Sequence, residues 1–132
     1  MMKPLSVEAT NILNKMVGML EDFCVRIDNS EGDYMPVYVS LFNKSLGKRV
    51  ISVGHFMSVD GQILCDPQMM FIYDETEGVY FPSYYRQDCL GVEQNSIKIV
   101  HGEIKSVNKF LQAEHTDFAN QWLRNIKDQQ NL

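Results

Sequence analysis

Apolar positions along the chain first recur at three- and four-residue intervals, then alternate, then return to helical spacing. Ala9, Ile12, Leu13, Met16, Val17, Leu20 and Phe23 place one apolar stripe on a helix expected from about Val7 to about Phe23. Ser6 is suited to cap it, and Glu8 sets a carboxylate against the positive end of the helix dipole. The acidic stretch from Asp28 to Asp33 has turn chemistry. After it, Met35, Val37, Val39 and Leu41 alternate with Tyr34, Tyr38 and Phe42, the period of a strand that begins at Pro36 or lies at an edge. A turn over Lys44 to Lys48 leads into a second strand, with Ile51, Val53, His55, Met57 and Val59 on one face.

Asp60-Gly61 predicts a tight hairpin, since both residues tolerate positive φ. A third strand runs through Ile63 and resumes from Met69 to Tyr73, with Asp66-Pro67 as a bulge or bend between. A second acidic turn, Asp74 to Gly78, precedes a fourth strand from Val79 to about Tyr85. Gln87 to Gln94 is the least regular part, and Ile97 to Val100 reads as a fifth strand ended by His101-Gly102. From Glu103 the spacing is helical, with Ile104, Val107, Phe110 and Leu111 in one stripe and Phe118, Trp122, Leu123 and Ile126 in another. An unbroken helix to Lys127 would be about 38 Å long at ~1.5 Å per residue, so a break at His115 to Asp117 is expected, with Thr116 capping the last helix. The fold class is α+β: one domain over residues 1–132, an antiparallel meander of about five strands, with an N-terminal helix and one or two C-terminal helices packed on the sheet.

Composition narrows the function classes. At 45% hydrophobic and 22% charged, 132 residues can bury a core without metal or disulfide staples. A net charge of −5 repels phosphate on average, which argues against nucleic acid as a partner. Cys24, Cys65 and Cys89 are widely spaced and odd in number, so they form neither a disulfide framework nor a zinc knuckle. No run approaches the ~20 apolar residues of a membrane span, and no signal-like segment follows Met1, so a cytoplasmic protein is expected.

Candidate chemistry concentrates between Gly54 and Phe71. His55, Asp60, Asp66 and Asp88 would make a metal-assisted hydrolase if the hairpin at Asp60-Gly61 folded the imidazole toward the carboxylates, but their spacing matches no defined ligand motif and aspartates commonly serve turns. Cys65 or Cys89, activated by His55 or His101, would be a nucleophile, yet a free cysteine is more often a small buried hydrophobe. No phosphate-binding glycine loop is present. Neither a catalytic residue, a metal ligand nor a cofactor is therefore assigned. Tyr34, Tyr38 and Phe42, with Tyr80 and Tyr84, offer a binding face if the helices leave one side of the sheet bare; Trp122 adds a second surface if its helical stripe is not core. The partner expected is another protein or a second copy of this chain. A third reading, an acidic decoy of a DNA-binding protein, rests on the two acidic turns.

The stretch GHFMSVDGQILCDPQMMF, with YFPSYYRQDCLGVEQNS and FANQWLRNIKDQQ, resembles a family of small uncharacterised proteins and domains carried by bacterial conjugative elements, plasmids and phages. The resemblance rests on His55-Phe56, Asp60-Gly61, the step Asp66 to Met69, the segment Gln87 to Gly91, and the helix around Trp122 and Asn125, and covers roughly residues 50 to 130. It implies a cytoplasmic bacterial accessory protein of a mobile element. It supplies no catalytic residue set.

Overall fold

The computed structural model describes residues 2–42 and 48–132. The Ser6 side chain accepts a hydrogen bond from the Ala9 N–H, satisfying one of the free donors at a helix start, and α1 follows over Val7–Val17. Ala9, Ile12, Leu13 and Met16 are its buried stripe. It stops well short of Phe23. Gly18 caps it by donating to the Asn14 carbonyl, and the Phe23 side chain is 70% exposed.

Six strands form one antiparallel sheet in chain order: β1 Cys24–Ile27, β2 Val37–Phe42, β3 Arg49–Val59, β4 Gln62–Asp74, β5 Val79–Gln87 and β6 Val92–Asn95. Two of these were not anticipated. β1 begins just past the end expected for the helix, in a stretch given no element, and β6 lies in the segment read as irregular, where a 3₁₀ turn at Asp88–Leu90 ends on Gly91 at φ 65° and reverses the chain. The turn expected over Lys44 to Gly47 lies outside the described residues. The Asp66-Pro67 peptide is cis, and β4 passes through it unbroken, with the β3–β4 register slipping between Gly54 and Phe56.

Ile97–Val100 is a strand, β7, but it does not join the sheet. It pairs with β8, Glu103–Val107, across a turn in which His101 and Gly102 both have positive φ. The helix expected from Glu103 therefore begins only at Lys109. Register explains the misreading: Ile104 faces Ile99 and Val107 faces Ile97, with one extra residue, Lys105, between them. A bulge thus puts two apolar residues three apart on one strand face, which imitates a helical repeat. α2 then runs unbroken over Lys109–Gln129, about 31 Å at ~1.5 Å per residue, with Asn108 as its N-cap. Thr116 caps nothing: its hydroxyl donates to the Gln112 and Lys3 carbonyls from inside the helix.

Both helices lie on the same face of the sheet. Val37, Val39, Ile51, Val53, Met69 and Phe71 project from it toward Leu13 and Met16 of α1 and Ala119, Leu123 and Ile126 of α2, and all are buried. Each large side chain so buried contributes roughly 1.5–3 kcal/mol, which makes this layer the main source of stability. Two buried glutamines tie α2 to distant segments. Gln112 exchanges hydrogen bonds with the Lys3 backbone and donates to the Pro82 carbonyl, while Gln130 accepts from the Asn29 N–H and donates to the Met35 carbonyl. Where β6 no longer reaches along β5, the N-terminal segment takes its place, the Leu5 N–H donating to the Tyr80 carbonyl at 2.9 Å. No helix among the described residues is long and apolar enough to cross a membrane.

Candidate functional site

The four residues of the expected polar cluster separate. His55 continues the inward alternation of Val53, is buried, and places Nδ1 3.0 Å from the Pro36 carbonyl, with its ring edge-on to Trp122 at 5.8 Å. Asp60 sits at φ 50° in the β3–β4 turn, exposed, a turn former in practice as well as in type. Asp66 and Asp88 do approach one another's surroundings at the cis-Pro bend. Asp88 accepts from the Cys65 N–H and from Arg86 Nε, both at 2.8 Å; Asp66 accepts from Gln87 Nε2 at 3.0 Å and from the Cys89 thiol at 3.2 Å. Among the described residues, no three His, Cys, Asp or Glu side chains cluster closely enough to hold a metal ion.

Electrostatics at this bend favours structure over reaction. The Arg86 guanidinium and the Cys65 N–H hold the Asp88 carboxyl below its usual range, so it stays an ionised acceptor with both oxygens engaged. Burial pushes the Cys65 thiol up, and the hydrogen bond to Asp66 does the same to Cys89. A nucleophilic cysteine needs the opposite shift, toward thiolate. His55, turned to Pro36, and His101, in the β7–β8 turn, activate neither thiol.

The aromatic residues divide between the two faces of the sheet. Tyr80 and Trp122 belong to the buried layer under the helices, Tyr80 donating to Asn14 Oδ1 at 2.7 Å with its phenol pushed up to about 12 by desolvation. Tyr34 lies before β2, its backbone held by Ser30, and is exposed. Tyr38, Phe42 and Tyr84 point away from the helices. Cross-strand register arranges this outer face in three rows. Phe42, Val50, Ile72 and Phe81 oppose one another in the first; Ser40, Ser52, Met70 and Tyr84 in the second; Tyr38, Gly54, Gln68 and Arg86 in the third.

The rows grade from apolar to polar toward the cis-Pro bend. Phe42 is 49% exposed, Val50 and Phe81 are half-buried, and Ile104 of β8 borders a hollow with Ile72 and Phe81 that extends the apolar row. In the polar rows, Gln68 donates to Ser52 Oγ at 2.9 Å, and Tyr84 donates to Glu93 at 2.5 Å; burial, with this bond, pushes its phenol up to about 12. Phe56 reaches back over Gly54 to meet Tyr38 edge-on at 5.6 Å between ring centres. Sequence reading missed Phe56 because its role depends on Gly54 leaving room beside it. It also missed His115, buried where Nδ1 meets Ser96 Oγ and Nε2 meets Gln94 Oε1, each at 3.0 Å. No helix among the described residues covers the outer face.

Neither a curated protein nor a solved structure matches the chain. Residues 7–132 match the model of a domain of unknown function, DUF6908, so the helix-roofed meander belongs to a protein of the DUF6908 family.

Proposed function

We propose that this protein is a non-enzymatic bacterial accessory protein, serving a mobile genetic element in the cytoplasm, that works by binding another protein through the outer face of its sheet. The row Phe42, Val50, Ile72 and Phe81 carries the reading: it is an apolar strip on the side of the sheet away from both helices, with Phe42 exposed, Val50 and Phe81 half-buried, and Ile72 buried between them. Apolar centres flanked by polar groups are what protein interfaces use, and here Ser52, Gln68 and Arg86 supply the flank. The mobile-element setting is supported by the resemblance of residues around 50 to 130 and by that alone.

A metal-assisted hydrolase on His55, Asp60, Asp66 and Asp88 is the weaker reading, since a buried strand residue, an exposed turn and a bend do not converge on one ion. An acidic decoy would need its charges in one stripe. The β1–β2 and β4–β5 connections, which carry the acidic turns, fall at opposite ends of an antiparallel meander.

Size-exclusion chromatography with light scattering, followed by affinity capture from host lysate, tests the proposal. Wild type should retain a protein partner or self-associate at micromolar concentration, and Phe42→Lys combined with Phe81→Lys should abolish this while leaving the far-UV spectrum unchanged. A strict monomer that retains nothing, or retention that survives both lysines, refutes it.

A further inference from the structure

On the opposite side of the molecule, α1 and the end of α2 flank a groove of about 610 Å³, within the size range of small-ligand sites. Val7, Ile12 and Leu132 supply an apolar lining, and Val7 is 79% exposed although it opens a helix whose next turn is core. Lys15 and Lys127 stand at the same groove, and neither forms an ion pair among the described residues. The carboxylate lining it, Glu8, is already met by Arg124 Nη1 at 3.4 Å. Setting Arg124 against Glu8, and the α-carboxylate that Leu132 carries in the 132-residue chain against one lysine, leaves one ammonium in excess beside an aliphatic trough, in a chain whose net charge is −5. Positive charge gathered against the overall balance, next to apolar surface, is complementary to an anion carrying a hydrocarbon tail.

We propose that this groove binds a small amphiphilic carboxylate, its tail against Val7, Ile12 and Leu132 and its head within reach of Lys15 and Lys127. The site is independent of the outer sheet face, so the two readings stand or fall separately. Binding should tighten with chain length by about fourfold per methylene until the trough is filled, the increment expected for burying a CH₂ group. Each lysine, exposed and screened, should contribute up to about fivefold.

The test uses hexanoate, octanoate and decanoate below their aggregation limits, titrated into the protein and followed by amide shifts in two-dimensional NMR and by calorimetry. Shifts confined to the amides of residues 7–15 and 127–132, affinity rising with chain length, and a several-fold loss, up to about 25-fold, for Lys15→Gln with Lys127→Gln would establish the site. Both lysines are exposed, each in the last turn of its helix, so that variant should stay folded and lose only a few degrees of melting temperature. Decylammonium, matched in length and opposite in charge, should bind far more weakly than decanoate. The proposal is overturned if decanoate causes no shifts, if its shifts fall elsewhere, if the double variant binds as wild type does, or if decylammonium binds equally well.

Discussion

Replacing Gln112 by leucine tests how α2 is attached to the rest of the molecule. The glutamine is fully buried; Oε1 accepts from the Lys3 N–H at 2.7 Å, and Nε2 donates to the Lys3 carbonyl at 2.9 Å, to the Pro82 carbonyl at 3.2 Å and to Thr116 Oγ1 at 3.2 Å. Leucine has nearly the same volume and no polar atoms, so the change removes hydrogen bonds without opening a large cavity. The Lys3 carbonyl keeps Thr116 Oγ1 at 2.9 Å, and the Pro82 carbonyl keeps Ser96 Oγ at 3.5 Å. The Lys3 N–H keeps no partner among the described residues. Four contacts are lost at about 0.5–1.5 kcal/mol net each, partly offset by the more apolar side chain; Lys3 is itself exposed, so its N–H adds no full desolvation penalty. The expected loss is about 2–4 kcal/mol. Urea denaturation followed by Trp122 fluorescence measures it, and the slope should be unchanged because the folded surface is the same. Gln112→Glu should be worse at neutral pH, because a carboxylate would face two carbonyl oxygens, and should recover in part as the pH falls far enough to protonate it. A Gln112→Leu variant within about 0.5 kcal/mol of wild type would show that the apolar layer alone holds α2 and that these bonds are incidental.

Three further outcomes follow from named contacts. A Cβ at Gly54 would lie 2.9 Å from the Phe56 ring and 3.2 Å from the Pro67 carbonyl, so Gly54→Ala should cost about 1–3 kcal/mol, displace Phe56 from Tyr38, and weaken partner capture; an unchanged Tm and unchanged capture would contradict this. Burial lowers the proton affinity of His115, so below the ordinary histidine pKa of ~6.5 the unfolded chain binds protons that the native state resists. Its effect on stability is nil above that range and becomes a loss as pH falls through it; His115→Gln should flatten the stability profile between pH 7 and 5, and a profile of the same steepness in that variant counts against the assignment. Asp66 holds Cys89 in the thiol form, so iodoacetamide at pH 8 should modify Cys89 more slowly than the likewise exposed Cys24, and Asp66→Asn should accelerate Cys89; mass spectrometry reads both, and equal rates would dismiss the Asp66 contact.

Local signals were legible where one residue's chemistry decides the backbone. Ser6 caps, Asp60-Gly61 turns, and the alternation through Val37 to Leu41 and Ile51 to Val53 marks strands whose inner faces are core. They failed where a neighbour decides. Phe23 has the right spacing for the α1 stripe yet lies in solvent, because Gly18 ends the helix and the chain turns to pair Cys24 with Ser40. Thr116 has the type of a cap but is an interior helix residue whose hydroxyl serves Lys3, a partner 113 positions away. The candidate site divides in the same manner: Asp66 and Asp88 were picked out as polar, but their partners Cys65, Arg86, Gln87 and Cys89 come together only across β4, β5 and the 3₁₀ turn.

From periodicity, turn residues and composition alone, this chain is an α+β protein with a meandering antiparallel sheet, because burial on one face writes a period of two or of 3.6 into each segment by itself. Which face the helices cover, which aromatic residues they hide, and which polar residues meet are properties of strand register and helix placement. Those depend on pairings between residues far apart in the chain, such as Gln112 with Lys3 and Val50 with Phe42 and Ile72, and no local repeat encodes them. The outer apolar row exists only because three registers align it, so the surface proposed to bind a partner was a decision of the tertiary structure.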